Sequence, residues 1–338
     1  MRKEASLEQW KELYEAGLEI KDLKPWEYLW DMDLISIILP EMKEPCYCSV
    51  LGRSGECYGI ITYTGSDGLR DFISIAECGE NGMPAEYVMY EQSNLSCYFG
   101  NREEVPKEQK QVIKDLSLKF RGKNQWLYFE SYKKGYTPYI LDEKETMLLT
   151  KCLKQFILSI KAYKEQNISV DFEKGETLLH RYDGKKKQWV NKSAKLPFYE
   201  NEYPILILED EILKNKLKKQ PKINAVLEID MAYINSIITD KNYERPVNPK
   251  LLIMMDHLND MVIGQHMLTP ENNEIDIIIN MFTDFVMKYG RPKQIIIRNP
   301  FIFSLLQDIC EYCSISIVMR KLLRSVDSFL NEYRKFRY

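Results

Sequence analysis

The sequence predicts two domains of mixed helix and strand. An α+β N-terminal domain covers residues 1–197, a connecting segment covers 198–221, and an α/β C-terminal domain with a mixed five-stranded sheet covers 222–338. Three observations lead there. A chain of 338 residues holds about two domains at roughly 150 residues each. A hydrophobic content of 45% with 12% aromatics fills packed cores and excludes wholesale disorder. The apolar periodicity of residues 223–319 reads as three successive strands, then helix, strand, helix and strand, with a closing helix to Phe336.

Bulk properties narrow the function classes. A net charge of −3 argues against a uniformly basic nucleic-acid coat but leaves room for local patches. No apolar run approaches the ~20 residues a bilayer span needs, so no membrane partner is expected. The start, Met1-Arg-Lys-Glu-Ala-Ser6, has no apolar signal core and reads as cytoplasmic. Eight cysteines in a chain of this length do not form a disulfide scaffold and are expected to stay reduced.

In the N-terminal domain, Ser6 with Gln9 forms a capping box for a helix whose apolar face is Leu7, Trp10, Leu13, Tyr14 and Leu18. Pro25 stops it, and the cluster of Trp26, Tyr28, Leu29 and Trp30 follows. Strands are expected at residues 34–39, 46–51 and 57–63, the last two joined by a turn from Gly52 to Gly55. Gly52, Gly55 and Gly59 imitate a phosphate loop only loosely, because a strand rather than a helix follows them. A short helix is expected from Ser66 to Ile75, strands at 86–90 and 95–99, and a helix from Pro106 to Leu118. Asp142 caps a long helix, residues 177–182 and 188–190 form a hairpin, and residues 203–208 read as one more strand before a helix at 209–219. The lysine-rich stretch from Lys214 to Lys222, with Pro221 inside it, reads as a domain boundary.

In the C-terminal domain, residues 226–234 alternate. Leu227, Ile229, Met231 and Tyr233 share one face, and Glu228 and Asp230 the other, as on a half-buried strand. Residues 251–255 and 261–268 form an antiparallel pair across a short connection. A helix beginning at Pro270 and Glu271 ends at Gly290 and Pro292. Residues 294–297 are a strand buried on both faces, Asn299-Pro300 opens the next helix, residues 315–319 form the fifth strand, and an amphipathic helix closes the chain.

Residues 251–265, 289–299 and 309–317 resemble the ribonuclease-H-like core of transposases and retroviral integrases. That core has an aspartate on its first strand, then a hairpin, then a Gly-x-Pro before the fourth strand, here Gly290-Arg-Pro292. Nearly the whole chain is also similar to a family of bacterial two-domain proteins, both halves of which are domains of unknown function. The shared motifs are Cys48-Ser-Val-Leu-Gly52, Tyr63-Thr-Gly65-Ser-Asp-Gly68, Phe120-Arg-Gly122, Gly135-Tyr-Thr-Pro138 and Gly290-Arg-Pro292. The wider resemblance brings no chemistry with it.

The narrower one implies a test. Polynucleotidyl transfer on this core needs acids converging on two divalent cations ~4 Å apart. Asp230 matches the first-strand acid, but the place of the second holds Asn299, after Arg298. Asp327 and Glu332 are the candidates for the third acid; Glu228 and Asp256 could rebuild a different metal site, and Asp230 and Glu228 are the candidate metal ligands. A neutral amide beside an added cation weakens any site for a hard metal ion. The expectation is therefore a non-enzymatic interaction module without a cofactor, binding nucleic acid or a protein partner. The alternatives are a magnesium- or manganese-dependent nuclease using Asp230, and a small-ligand binder with a cleft between the domains near Trp126 and Tyr136. Arg121, Trp126, Lys133 and Tyr136 interleave rings and cations as a single-strand platform does, although a strand pair with rings inward explains the same pattern. The C-terminal end, with Arg320, Lys321, Arg324, Arg334, Lys335 and Arg337, is a second candidate for phosphate contact. His180, His257 and His266, and the pairs Cys310–Cys313 and Cys46–Cys48, read as ordinary packed or surface residues.

Overall fold

The computed structural model describes residues 2–166, 168–198 and 203–335. It divides into two compact units. The first holds Met1–Ile73, Gln92–Lys133 and Pro138–Tyr199; the second holds Ser74–Glu91, Lys134–Thr137 and Glu200–Tyr338. No described helix is long and apolar enough to cross a membrane.

In the first unit, helix α1 (Leu7–Leu23) opens on the expected capping box of Ser6 and Gln9. Strands β1 (Ile35–Ile38), β2 (Cys46–Leu51) and β3 (Tyr58–Thr64) follow. Gly52 and Gly55 turn the chain between β2 and β3 at φ values of 119° and 91°, a backbone region open chiefly to glycine. Helix α2 (Gly65–Glu80) runs beyond Ile75 and divides its residues between the units. Strand β4 (Asn94–Gly100), helix α4 (Lys107–Asp115) and strand β5 (Trp126–Tyr132) lead to helix α5 (Glu143–Glu165), capped by Asp142 with Glu145. Strands β6 (Glu176–Asp183) and β7 (Gln188–Lys195) form the expected hairpin. The seven strands lie in the order β5-β4-β3-β2-β1-β6-β7, antiparallel except where β1 meets β6. Trp10, Leu13 and Tyr14 of α1 and Phe156 of α5 pack with Phe129 and Cys97 in its core.

In the second unit, helix α3 (Ala85–Tyr90) stands where a strand was expected. Tyr87, Val88 and Tyr90 suit a strand by propensity, but Pro84 at the N-cap starts a helical turn, and Tyr87 is buried with its ring 6.0 Å from that of Tyr233. Tertiary packing overrides propensity here. Residues 203–208, expected as a strand, form no strand. Helix α6 (Glu211–Lys219) starts at the cap Asp210.

Strands β8 (Val226–Tyr233), β9 (Lys250–Asp256) and β10 (Met261–Leu268) form the antiparallel meander. Helix α7 (Glu274–Tyr289) begins four residues later than expected, because Thr269 and Asn272 first close a turn through a 2.8 Å hydrogen bond. Strand β11 (Gln294–Ile297), helix α8 (Pro300–Tyr312), strand β12 (Ser316–Met319) and helix α9 (Arg324–Lys335) complete the unit. The sheet order is β10-β9-β8-β11-β12, with β11 parallel to both β8 and β12. Leu217 of α6, Phe282 of α7 and Leu305 of α8 pack with Leu227, Ile229 and Met231, while Leu323, Val326 and Leu330 at α9 pack with Ala232 and Ile253. β8 is thus central and buried on both faces rather than half-buried, which decides the fate of its two acids.

Candidate functional site

Glu228 and Asp230 point from β8 to the α9 side, and both are almost fully buried, at 1% and 0% exposure. A buried carboxylate needs a partner that returns what hydration gave it. The register supplies one: Ile229 pairs with Ile297 of β11, so the next residue, Arg298, lies beside Asp230. Arg298 donates to Asp230 Oδ2 from Nη2 at 2.5 Å and from Nε at 3.1 Å. Its Nη1 lies 2.9 Å from Asp327 Oδ1 on α9 and 3.4 Å from the carbonyl of Gly82. Asp327 in turn accepts the Leu323 amide with Oδ2 at 3.1 Å.

One guanidinium, 4% exposed, therefore holds two carboxylates. Burial pushes the Asp230 carboxyl up, Arg298 pulls it back, and Asp327 adds to the push. Burial also opposes the charge on Arg298, but Asp230 and then Asp327 outweigh it and raise the guanidinium above its ordinary value. Asp230 Oδ1 makes no hydrogen bond of good geometry. An arginine cannot give up its proton in this setting, so the arrangement has no acid–base work to offer while the pairing lasts.

Glu228 is committed elsewhere. Its Oε2 accepts the amides of Ser325 and Val326 at 2.9 Å each, and its Oε1 meets His257 Nδ1 at 2.5 Å. A carboxylate at the first amides of a helix is favoured by the orphan donors and the helix dipole. Glu228 is the clamp that seats α9 on the sheet. Among the described residues, no three or more His, Cys, Asp or Glu side chains are grouped to hold a metal ion.

A domain-family model described as "Domain of unknown function (DUF7309)" matches residues 10–181, just over half of the chain. The chain belongs to the DUF7309 family. A second model, "Domain of unknown function (DUF6930)", matches residues 213–334. No curated protein matches the chain. The DUF7309 match runs from α1 into β6, whereas the DUF6930 match runs from α6 into α9 and contains Glu228, Asp230, Arg298 and Asp327.

The other predicted residues of the DUF6930 segment stay apart from this cluster. Asn299 is buried as the N-cap of α8, with Oδ1 accepting the Phe301 amide at 2.9 Å. Asp256 lies directly across from Leu227, on the opposite sheet face from Asp230. Its carboxylate closes the β9–β10 turn by accepting the Leu258 amide at 2.8 Å and the Asn259 amide at 3.2 Å. Glu332 is exposed, five residues beyond Asp327 on α9. Arg320 is exposed, and Arg334 is paired with Glu86 at 3.0 Å. Phe336 and Arg337 lie outside the described residues.

In the DUF7309 segment, Trp126 is half-buried, 5.9 Å from the Phe120 ring, with the Arg102 guanidinium also 5.9 Å from its centre. Arg121 and Lys133 are exposed. Tyr136 belongs to the second unit, where it bridges to Val247. β5 pairs with β4 along its length, and of the strand pair expected with residues 136–139 only an isolated antiparallel bridge between Ser131 and Tyr139 forms. Of these four residues, Arg121, Trp126 and Lys133 fall in the first unit and Tyr136 in the second.

Two groupings escaped the sequence reading. In the DUF7309 segment, Tyr128, Glu130 and Tyr132 alternate with inward-facing Leu127 and Phe129 on β5, and Tyr98 stands opposite Tyr128. Burial pushes the Glu130 carboxyl up to about 7, and only the Tyr132 hydroxyl, 3.4 Å away, opposes this. The period-two run Tyr-x-Glu-x-Tyr was the available signal. In the second unit, Lys250 is buried between Glu91 at 3.1 Å and Glu274 at 2.7 Å, and Tyr233 donates to Glu91 at 2.7 Å. The partners lie far apart in sequence, so no local pattern announces them.

Proposed function

We propose that the chain is a non-catalytic interaction protein of the bacterial cytoplasm whose C-terminal unit is a ribonuclease-H-like scaffold with an arginine in place of its metal ions. The sheet order, with the first strand central, the meander to one side and two parallel strands to the other, supports the scaffold reading. So does the placement of an acid on the first strand and another on the last helix. The eight unpaired cysteines fit a reducing compartment.

The observation that carries the proposal is Arg298. A hard cation binds where anionic oxygens are free. Here Asp230 and Asp327 face a fixed positive charge, so an incoming divalent ion meets repulsion before it meets a ligand. The charge cluster then serves as a buried clasp, and function moves to the outer surfaces.

The test is calorimetric titration of the full chain with magnesium and manganese chloride, run beside a cleavage assay on end-labelled DNA and RNA. No saturable binding and no cleavage are expected. Saturable manganese binding or cleavage that disappears in Asp230→Asn would overturn the proposal and restore the metal-dependent nuclease.

A further inference from the structure

We propose that the lysine–tyrosine surface formed by α6, the C-terminal ends of α7 and α8 and the approach to β11 binds single-stranded nucleic acid, with the lysines on phosphates and the exposed tyrosine on bases. This names the partner of the non-catalytic reading above and rests on it in one respect: the strand is bound, not cut.

The charge distribution is the first reason. The whole chain carries −3, yet residues 214–222 hold five lysines and no acid, and residues 286–294 hold Lys288, Arg291 and Lys293 and no acid. A local excess of this size is the electrostatic footprint of a polyanion partner.

The fold brings the two stretches together. Arg291 donates from its backbone amide to the Pro221 carbonyl at 2.8 Å and from Nε to the Gln220 carbonyl at 2.8 Å. Ile223 returns a bond to the Arg291 carbonyl at 2.9 Å, and Lys293 donates to Ala225 at 2.9 Å. Gln220 Nε2 reaches Met287 Sδ at 3.7 Å, which ties the end of α6 to the end of α7. On the α8 side, Lys218 Nζ lies 4.5 Å and Lys214 Nζ 5.5 Å from the centre of the Tyr312 ring, and the Tyr312 hydroxyl donates to Asn215 Oδ1 at 3.3 Å.

Exposure and pairing then separate the cations that can act from those that hold the surface together. Arg291 is spent on carbonyls, and Lys214 lies 3.7 Å from Glu211. Lys216, Lys218, Lys219, Lys222, Lys288 and Lys293 are exposed, with no acidic group at ion-pair distance among the described residues. The other acids of these helix ends are Asp284 and Glu311, both exposed, and Asp308, half-buried. The 51% exposed ring of Tyr289, with Lys288 Nζ 4.9 Å from its centre, and the exposed lysines of the same unit supply a stacking face and phosphate neutralisation, the two elements of sequence-tolerant single-strand binding.

The experiment is fluorescence anisotropy of the full chain with labelled dT20 and rU20, a 20-base-pair duplex as competitor, and phosphatidylserine vesicles in a parallel sedimentation assay. With about five phosphates engaged, log K should fall against log salt with a slope of about −3.5, roughly a hundredfold weakening from 50 to 200 mM. Lys218→Glu with Lys288→Glu should weaken binding at least tenfold and flatten the slope. Tyr289→Ala should weaken it about fivefold without altering the slope. These positions are exposed, and an unchanged unfolding curve confirms that the variants fold. No oligonucleotide binding, binding indifferent to the lysine variants, preference for the duplex, or capture by vesicles alone would each overturn the proposal while leaving the non-catalytic reading intact. Cleavage of the bound strand with manganese would overturn the non-catalytic reading instead.

Discussion

Replacing Arg298 by methionine removes the partner of a carboxylate that is 0% exposed. Asp230 Oδ2 loses both of its hydrogen bonds, and Oδ1 has none of good geometry to compensate. Breaking a buried pair from one side costs about 3–5 kcal/mol, a large share of the roughly 5–15 kcal/mol that holds a domain folded. The pH dependence has a definite sign. Without its counter-ion, the folded carboxyl of Asp230 binds its proton more tightly than the unfolded one, so the variant loses stability as pH rises above the ordinary carboxylate range. The deficit should be full at pH 8 and smaller at pH 5. The double variant Asp230→Asn with Arg298→Met removes both charges and should regain at least 2 kcal/mol over Arg298→Met alone. Urea unfolding followed by far-UV circular dichroism measures this. Tryptophan fluorescence supplies an internal control, because Trp10, Trp26, Trp30, Trp126 and Trp189 all belong to the first unit. Equal urea midpoints for wild type and Arg298→Met, or a double variant no better than the single one, would show that Asp230 does not depend on this guanidinium.

Two further perturbations test other carboxylates, Glu130 in the first unit and Glu228 in the second. Glu130→Gln removes a carboxyl held at about 7 against an ordinary 4.5. The folded state keeps that proton between these values and the unfolded state does not, so wild-type stability should decline from about pH 4.5 to 7 and then level off, by up to about 3 kcal/mol. The glutamine variant should lack this decline and exceed wild type at pH 8; parallel decline of both in urea midpoints read by tryptophan fluorescence would rule Glu130 out as its source. Glu228→Gln keeps the shape but removes the charge that accepts the Ser325 and Val326 amides, and should cost about 1–2 kcal/mol. Hydrogen exchange should quicken at those two amides and leave β9 unchanged; uniform quickening across the unit would mean that Glu228 does more than seat α9.

What was legible in the sequence followed from interactions short in sequence. Ser6 with Gln9, and Asp142, cap helix amides three residues away, and the alternation of Leu227, Glu228, Ile229 and Asp230 writes a strand directly. Failures came where distant packing decided. Tyr87 joins a helix because Tyr233 receives its ring, and nothing within residues 84–90 announces that neighbour. The lysines of 214–222 read as a boundary because their meeting with Lys288 and Arg291 depends on bonds across some 70 residues.

Arg298 falls between these cases and shows why a missing catalytic residue is weak evidence alone. Asn299 in place of an acid is legible, but it has a sufficient local reason as the cap of α8 and explains nothing about Asp230. What the sequence could not supply is the register of β11 on β8, which sets Arg298 beside Asp230 at a separation of 68 residues. With that register in place, the carboxylate has a structural role as the partner of Arg298. Asp230 and Asp327 neutralise one buried cation, and any change that frees them for a metal first has to break the clasp between β8, β11 and α9. Stability and metal binding therefore oppose each other at this site.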